Sequence, residues 1–294
     1  MVESLPVTGS QPSLPNSTAG QIELPARAAS ALVMGVAAVG AVFSGGFVFP
    51  VIVAAGAIAA LREWHRLING GRIAREMIPT GLAMIAAVFL AHQEGALPIA
   101  VLAIALGAVC AALLAALKRT SVSWPIPWHA FGAVYVGLSV VALVLLRDGP
   151  RGSAIVGGLF VAVWTADTTA LLLGRLIGGP KLAPDLSPNK TWAGFVGGTL
   201  AAGAAEAVYV LLSSTVSGAV LEGAVFGIIL ALAGHFGDLF ESWVKRQFRA
   251  KNTGKLIPGH GGMLDRIDSL LFAAPVCTAL IYLAGFNPWL GGAS

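Results

Sequence analysis

The stretch Gly237–Ser269, GDLFESWVKRQFRAKNTGKLIPGHGGMLDRIDS, gathers four carboxylates and six Lys or Arg residues in a chain of which only 11% is charged. Strongly apolar runs, Ala219–Phe236 and Leu270–Phe286, flank it. Charge is costly near hydrocarbon, so a dense bipolar cluster at a membrane edge marks a functional site. Read as a helix, Gly237–Arg249 puts Asp238, Glu241, Ser242, Lys245 and Arg249 on one face at spacings of three and four. Leu239, Phe240, Trp243, Val244 and Phe248 gather toward the other, as in an interfacial amphipathic helix with its apolar side in lipid or protein. A basic juxtamembrane helix that only binds anionic headgroups is the plainer reading, but it leaves the interleaved acids unexplained.

Downstream, Ile257-Pro-Gly-His-Gly-Gly262 must form an irregular loop whose backbone N–H groups can approach phosphate. His260, inside that loop, is the histidine best placed for chemistry. Asp265 and Asp268 follow, three apart and on one face if the helix has begun. A single Asp there would read as an ordinary N-cap. Two, joined by Asp238 from the preceding span, point to a divalent metal, and hard carboxylate oxygens near phosphate suit Mg²⁺.

A second polar cluster lies upstream. Asp167 interrupts the run VAVWTADTTALLLG, where a lone carboxylate is costly. Arg175 follows, then Ser187-Pro-Asn-Lys190-Thr191-Trp192. Capping of the next helix by Ser187 or Thr191 would set Lys190 at a helix N-terminus, a favourable phosphate site. His235, one turn before Asp238, can orient it, whereas His65, His92 and His129 lie at span edges and suggest interfacial packing. Glu206, a further intramembrane acid, receives no role.

These residues need a scaffold, and the composition says what kind. The 294 residues are 56% hydrophobic with a mean hydropathy of +0.83. Continuous, non-alternating apolar runs disfavour a β-barrel and predict an all-α polytopic integral membrane protein. About nine transmembrane helices are expected, near Ala28–Phe43, Phe47–Leu61, Ile78–Ala91, Leu97–Leu117, Ala130–Leu146, Ser153–Leu173, Trp192–Leu212, Ala219–Phe236 and Leu270–Phe286. Residues 1–27 read as a disordered cytoplasmic tail, and 28–294 as one transmembrane domain with a catalytic segment at 165–269. With the Arg62–Arg75 loop in the cytoplasm, sixteen of the eighteen Lys and Arg residues fall on that side, leaving Arg147 and Arg151 outside. The net charge of +4 is thereby topological and does not indicate nucleic acid. Cys110 and Cys277 fall inside spans, with no redox or metal spacing. Gly194–Gly198 and Gly223–Gly227 allow close helix approach and would also suit a homodimer.

The motifs Ser242-x-x-Lys245-Arg246, Lys251 and Pro258-Gly-His260-Gly-Gly-x-x-Asp265-Arg266-x-Asp268 closely resemble the signature of the phosphatidate cytidylyltransferase (CDP-diglyceride synthase) family. Gly237-Asp238-Leu239-x-Glu241-Ser242 and Ser187-Pro-x-Lys190-Thr191-Trp192 are similar to the same family, so the resemblance covers roughly Asp167–Ser269. Asn252 and Ala193 depart from it, standing where the family has Asp and Glu. The resemblance implies transfer of a cytidylyl group from CTP to phosphatidic acid, giving CDP-diacylglycerol and pyrophosphate at the cytoplasmic face of a bacterial inner membrane. It implies Asp238, Asp265 and Asp268 as ligands of Mg²⁺, with K⁺ as a second cation. Lys190, Lys245, Arg246, Lys251 and Arg266 become the phosphate-binding set, His260 a further catalytic residue, and Asp167 a supporting acid. Another CTP-using lipid enzyme is the nearest alternative, and an ion-coupled transporter using the intramembrane acids is the alternative of a different class.

Overall fold

Apolar runs broken at polar corners fold into helices stacked side by side. The computed structural model describes residues 17–117, 125–214, 219–254, 256 and 261–290. Among them the order is α1 (Ser17–Ser44), α2 (Val48–Ile68), α3 (Met77–Ala91), α4 (Leu97–Leu117), α5 (Pro125–Asp148) and α6 (Gly152–Leu176). A short hairpin follows, β1 (Lys181–Ala183) and β2 (Ser187–Thr191), and then α7 (Trp192–Ser213), α8 (Val220–Gln247) and α9 (Leu264–Tyr282). The α1–α2 corner lies at the expected Ser-Gly-Gly break, where Gly45 and Gly46 take φ of +58° and +48°. Helix α1 begins at Ser17, ahead of the Ala28 start that hydropathy suggested.

Six of these helices are long and apolar enough to cross a membrane, against the nine expected: α2, α4, the stretch Ile126–Asp148 of α5, α6, α7 and α8. Of the other three, α3 at 15 residues is shorter than a bilayer-spanning helix, and the apolar stretch described for α1 is Leu32–Ser44. Helix α9 falls short in composition, because Asp265, Arg266 and Asp268 occupy its opening turns.

The all-α expectation also missed the β1–β2 hairpin, which pairs Lys181 with Thr191 and Ala183 with Ser187 antiparallel. Three- and five-residue strands carrying Pro and Asn leave no period-2 pattern to read. The hairpin ends at Thr191, whose hydroxyl accepts from the Gly194 N–H at 3.1 Å and caps α7.

Two cores divide the protein. One fills the space among α2, α3, α4 and α5 and reaches Val244 and Leu264; the other lies among α5, α6, α8 and α9, with Trp289 against it. Helix α6 packs on α7, α7 on α8, and α8 on α9. Glycine makes the first two contacts close: a Cβ at Gly194 would lie 2.5 Å from the Ala170 carbonyl oxygen, and one at Gly227 2.7 Å from that of Ala202. The small-residue pairs that would suit a homodimer therefore serve packing within the chain. Nor do all the span-edge histidines sit at an interface. His65 and His129 are buried, with their Nδ1 atoms 2.8 Å apart, and His65 Nε2 meets Thr80 Oγ1 at 2.9 Å.

Candidate active site

The last two turns of α8 carry the charged face, and they do so as part of the membrane helix itself. The sequence suggested a separate interfacial segment from Gly237, yet α8 runs unbroken from Val220 to Gln247. Its apolar side is packed on protein: Phe240 lies 5.5 Å from Tyr135 and 5.4 Å from Phe272, and Trp243 5.7 Å from Trp128. Arg249, in the left-handed region at φ 53°, lies beyond the helix end and leaves the charged face.

On that face Lys245 Nζ sits between two carboxylates, 2.8 Å from Glu241 Oε2 and 2.8 Å from Asp265 Oδ1. Glu241 is fully buried and Lys245 is partly buried. One turn back, Asp238 pairs with Lys190 from β2 at 2.6 Å. Ser242 Oγ stands 3.5 Å from the other oxygen of Asp238.

Asp265 is not a helix cap in the ordinary sense. Met263 is the N-cap of α9 and makes no side-chain cap bond. Asp265 Oδ2 instead accepts from the Gly262 N–H at 3.0 Å, the Thr253 N–H at 3.1 Å and the Thr253 hydroxyl at 3.0 Å. Burial would raise this carboxyl, but the Lys245 ammonium and the Gly262 and Thr253 N–H groups hold it below its usual range. Asp268 lies within hydrogen-bond reach of Glu241 and within electrostatic reach of Asp238 and Asp167. Asp167 itself accepts from Ser269 Oγ at 3.3 Å, which ties α6 to α9.

These groups line a cavity of about 1000 Å³, where the C-terminal ends of α6 and α8 meet the N-terminal ends of α7 and α9. Asp167, Lys190, Asp238, Lys245, Lys251, Asp265, Arg266 and Asp268 all face it, as expected. Arg246 does not: it is exposed and absent from the lining. His260 lies outside the described residues. His235 lines the cavity, but its ring packs on Phe195 at 5.0 Å, and Nε2 makes no hydrogen bond, so it does not orient Asp238. Arg175 and Lys181 add positive charge to the wall. The sequence marked Arg175 only as a neighbour of Asp167, and it gave no sign that the hairpin would bring Lys181 in.

No three His, Cys, Asp or Glu side chains among the described residues converge as a ready-made metal group. Mg²⁺ does not need one, because it binds through one or two carboxylates and keeps water or phosphate oxygens. Asp238 and Asp268 face the cavity as such a pair, and Asp265 could join them by exchanging Lys245 for the cation. Glu241 and Asp268 lie side by side, Glu241 Oε1 has no hydrogen-bond partner, and adjacent buried acids call for a shared proton or a cation.

Comparison with known proteins agrees with this geometry. The model of the cytidylyltransferase family matches residues 25–284. The phosphatidate cytidylyltransferase of Brucella abortus biovar 1 (strain 9-941) is 40% identical over 266 residues, covering 89% of this chain and 93% of that protein. Those of Rickettsia bellii (36% over 150 residues, 49% of this chain and 65% of that protein) and Staphylococcus saprophyticus (40% over 147 residues, 50% and 55%) match over about half of the chain. By its sequence along nearly its whole length, the chain belongs to the cytidylyltransferase family.

Proposed function

We propose that this chain transfers a cytidylyl group from CTP to phosphatidic acid, releasing pyrophosphate and forming CDP-diacylglycerol at the cytoplasmic face of a bacterial inner membrane. The observation that carries the proposal is the meeting of acids and bases from β2, α8 and α9 on one cavity, at one end of membrane-length helices. An oxygen of the lipid phosphate attacks the α-phosphorus of CTP. The bond from that phosphorus to the bridging oxygen breaks, and its electron pair leaves with pyrophosphate. The attacking oxygen is already anionic, so no strong general base is required; alignment and charge neutralisation carry the rate.

The lysines divide that work. Lys245 is held by Glu241 and Asp265 and keeps the two carboxylates in register. Lys190, Lys251 and Arg266 face the cavity, where their charges can meet phosphate oxygens. Asp238, Asp265 and Asp268 are the proposed holders of Mg²⁺, with K⁺ as a second cation. When bound, Mg²⁺ would neutralise charge building on the α-phosphate and the leaving pyrophosphate. The first turn of α7, capped by Thr191, adds N–H groups beside Lys190.

Purified protein with Mg²⁺, CTP and phosphatidic acid should release pyrophosphate and CDP-lipid in equal amounts. Absence of both products would sink the proposal. Product from another lipid acceptor alone would reassign the substrate.

A further inference from the structure

Glu63 on α2 belongs to none of the motifs around the cavity, yet its carboxylate is engaged far from its own helix. It is 4% exposed. Its Oε2 accepts from the Leu264 N–H at 2.8 Å and from the Thr253 hydroxyl at 3.3 Å. Those two residues bracket the loop that carries Gly261 and Gly262. Leu264 is the first residue of α9, whose own N-cap supplies no side-chain acceptor, so a carboxylate from a distant helix serves in its place. Asp265 is the next residue along. The Thr253 hydroxyl has one proton and two carboxylates to choose between, Glu63 at 3.3 Å and Asp265 at 3.0 Å. Gly254 and Gly262 close on the Glu63 carboxylate, and a Cβ at either would collide with it. The chain has therefore kept side chains away from this carboxylate at two backbone positions.

We infer that Glu63 is a positioning residue for the transfer reaction: it ties Leu264, the first residue of α9, to α2, with Thr253 beside it, and so fixes where Asp265 projects. Because Asp265 is held at the same time by Lys245, its two oxygens are aimed from opposite sides, one by α8 and one by the stapled loop. Misplacing a reacting group by about 1 Å can cost on the order of 100-fold in rate. The staple thereby gives the helices before α6 a part in the chemistry that their apolar sequence does not advertise.

The test uses the full chain in nanodiscs, with Glu63→Gln, Glu63→Leu and Glu63→Asp. Glu63→Gln retains an acceptor oxygen, whereas Glu63→Leu retains none. The first readout, hydrogen exchange across 250–266, is independent of activity. Exchange there should rise at least tenfold in Glu63→Leu with the rest of the protein unchanged, and stay near wild type in Glu63→Gln. Unchanged exchange in Glu63→Leu overturns the staple whatever the enzyme does. The second readout rests on the cytidylyltransferase reading. Per folded protein, kcat for CDP-lipid should fall at least tenfold in Glu63→Leu while both KM values move less than threefold, and Glu63→Gln should recover most of kcat. A kcat within threefold of wild type in Glu63→Leu overturns the positioning role. If Glu63→Leu does not fold, Glu63→Asp, which withdraws the carboxylate by one methylene, carries the same two readouts against the same thresholds. A wild-type chain that makes no CDP-lipid would refute the proposed function and leave the exchange result to decide the staple.

Discussion

Lys245 is the natural point at which to break the site. Replacing it with Met keeps the length of the side chain and removes an ammonium that makes 2.8 Å contacts to both Glu241 and Asp265. Glu241 is 0% and Asp265 8% exposed at the side chain, so neither carboxylate can recover its lost partner from bulk water. Two charge-assisted bonds at about 1.5–3 kcal/mol each, or one broken buried ion pair at about 3–5 kcal/mol, give the same range. We predict that Lys245→Met loses about 3–5 kcal/mol of stability, on the order of ten degrees in Tm for a chain of this size. Adding Glu241→Gln should return about half of that loss by removing one stranded charge. Carboxylates released from Lys245 should also bind a cation more readily. Mg²⁺ should therefore raise the Tm of Lys245→Met more than that of the wild type. The assay is thermal unfolding in detergent, with and without Mg²⁺. A Tm within two degrees of wild type, or a double variant no more stable than Lys245→Met, would refute the reasoning.

Three other outcomes can be checked beside it. Asp265→Asn must turn an amide N–H₂ toward either Lys245 or the donors at Gly262 and Thr253, and CDP-lipid formation should fall on the order of 100-fold or more, measured by radiolabelled CTP incorporation. Arg246→Ala, at an exposed position off the cavity wall, should change kcat/KM less than threefold in the same assay, in contrast to Lys190→Ala. Gly194→Ala drives a Cβ to 2.5 Å from a backbone oxygen of α6, which costs about 1–3 kcal/mol and should show as a lower Tm.

The charged segment announced itself because its residues stand out against an apolar background, and local spacing was enough to put Asp238 with Lys245 on one helix face and Asp265 with Asp268 on another. The layout of basic residues also put the α2 end, the hairpin and the α8–α9 loop on one side, where the cavity lies. What local spacing cannot carry is long-range pairing. The contacts of Lys190 with Asp238 and of Glu63 with Leu264 join residues far apart in the chain, and neither partner bears a local mark of the other. Arg246 shows the opposite failure: it is adjacent to Lys245 in sequence, but neighbouring helix positions point about 100° apart. The span count meets a related limit: six of the described helices are long and apolar enough to cross a membrane, α3 is short, and the opening turns of α9 are occupied by the site itself.

The unbroken course of α8 has one more consequence. At 1.5 Å per residue its 28 residues extend about 42 Å, some 12 Å more than a typical hydrocarbon core. A single rigid rod thus anchors in lipid at one end and holds Asp238 and Lys245, about 10 Å apart along its axis, at the other. Because the helix is unbroken between them, the rod would act as a depth gauge, its tilt setting how far the carboxylates stand above the plane of the lipid phosphates. Vesicles of graded acyl length should therefore give a rate optimum at one bilayer thickness, and a flat profile would show that the gauge does not govern the reaction.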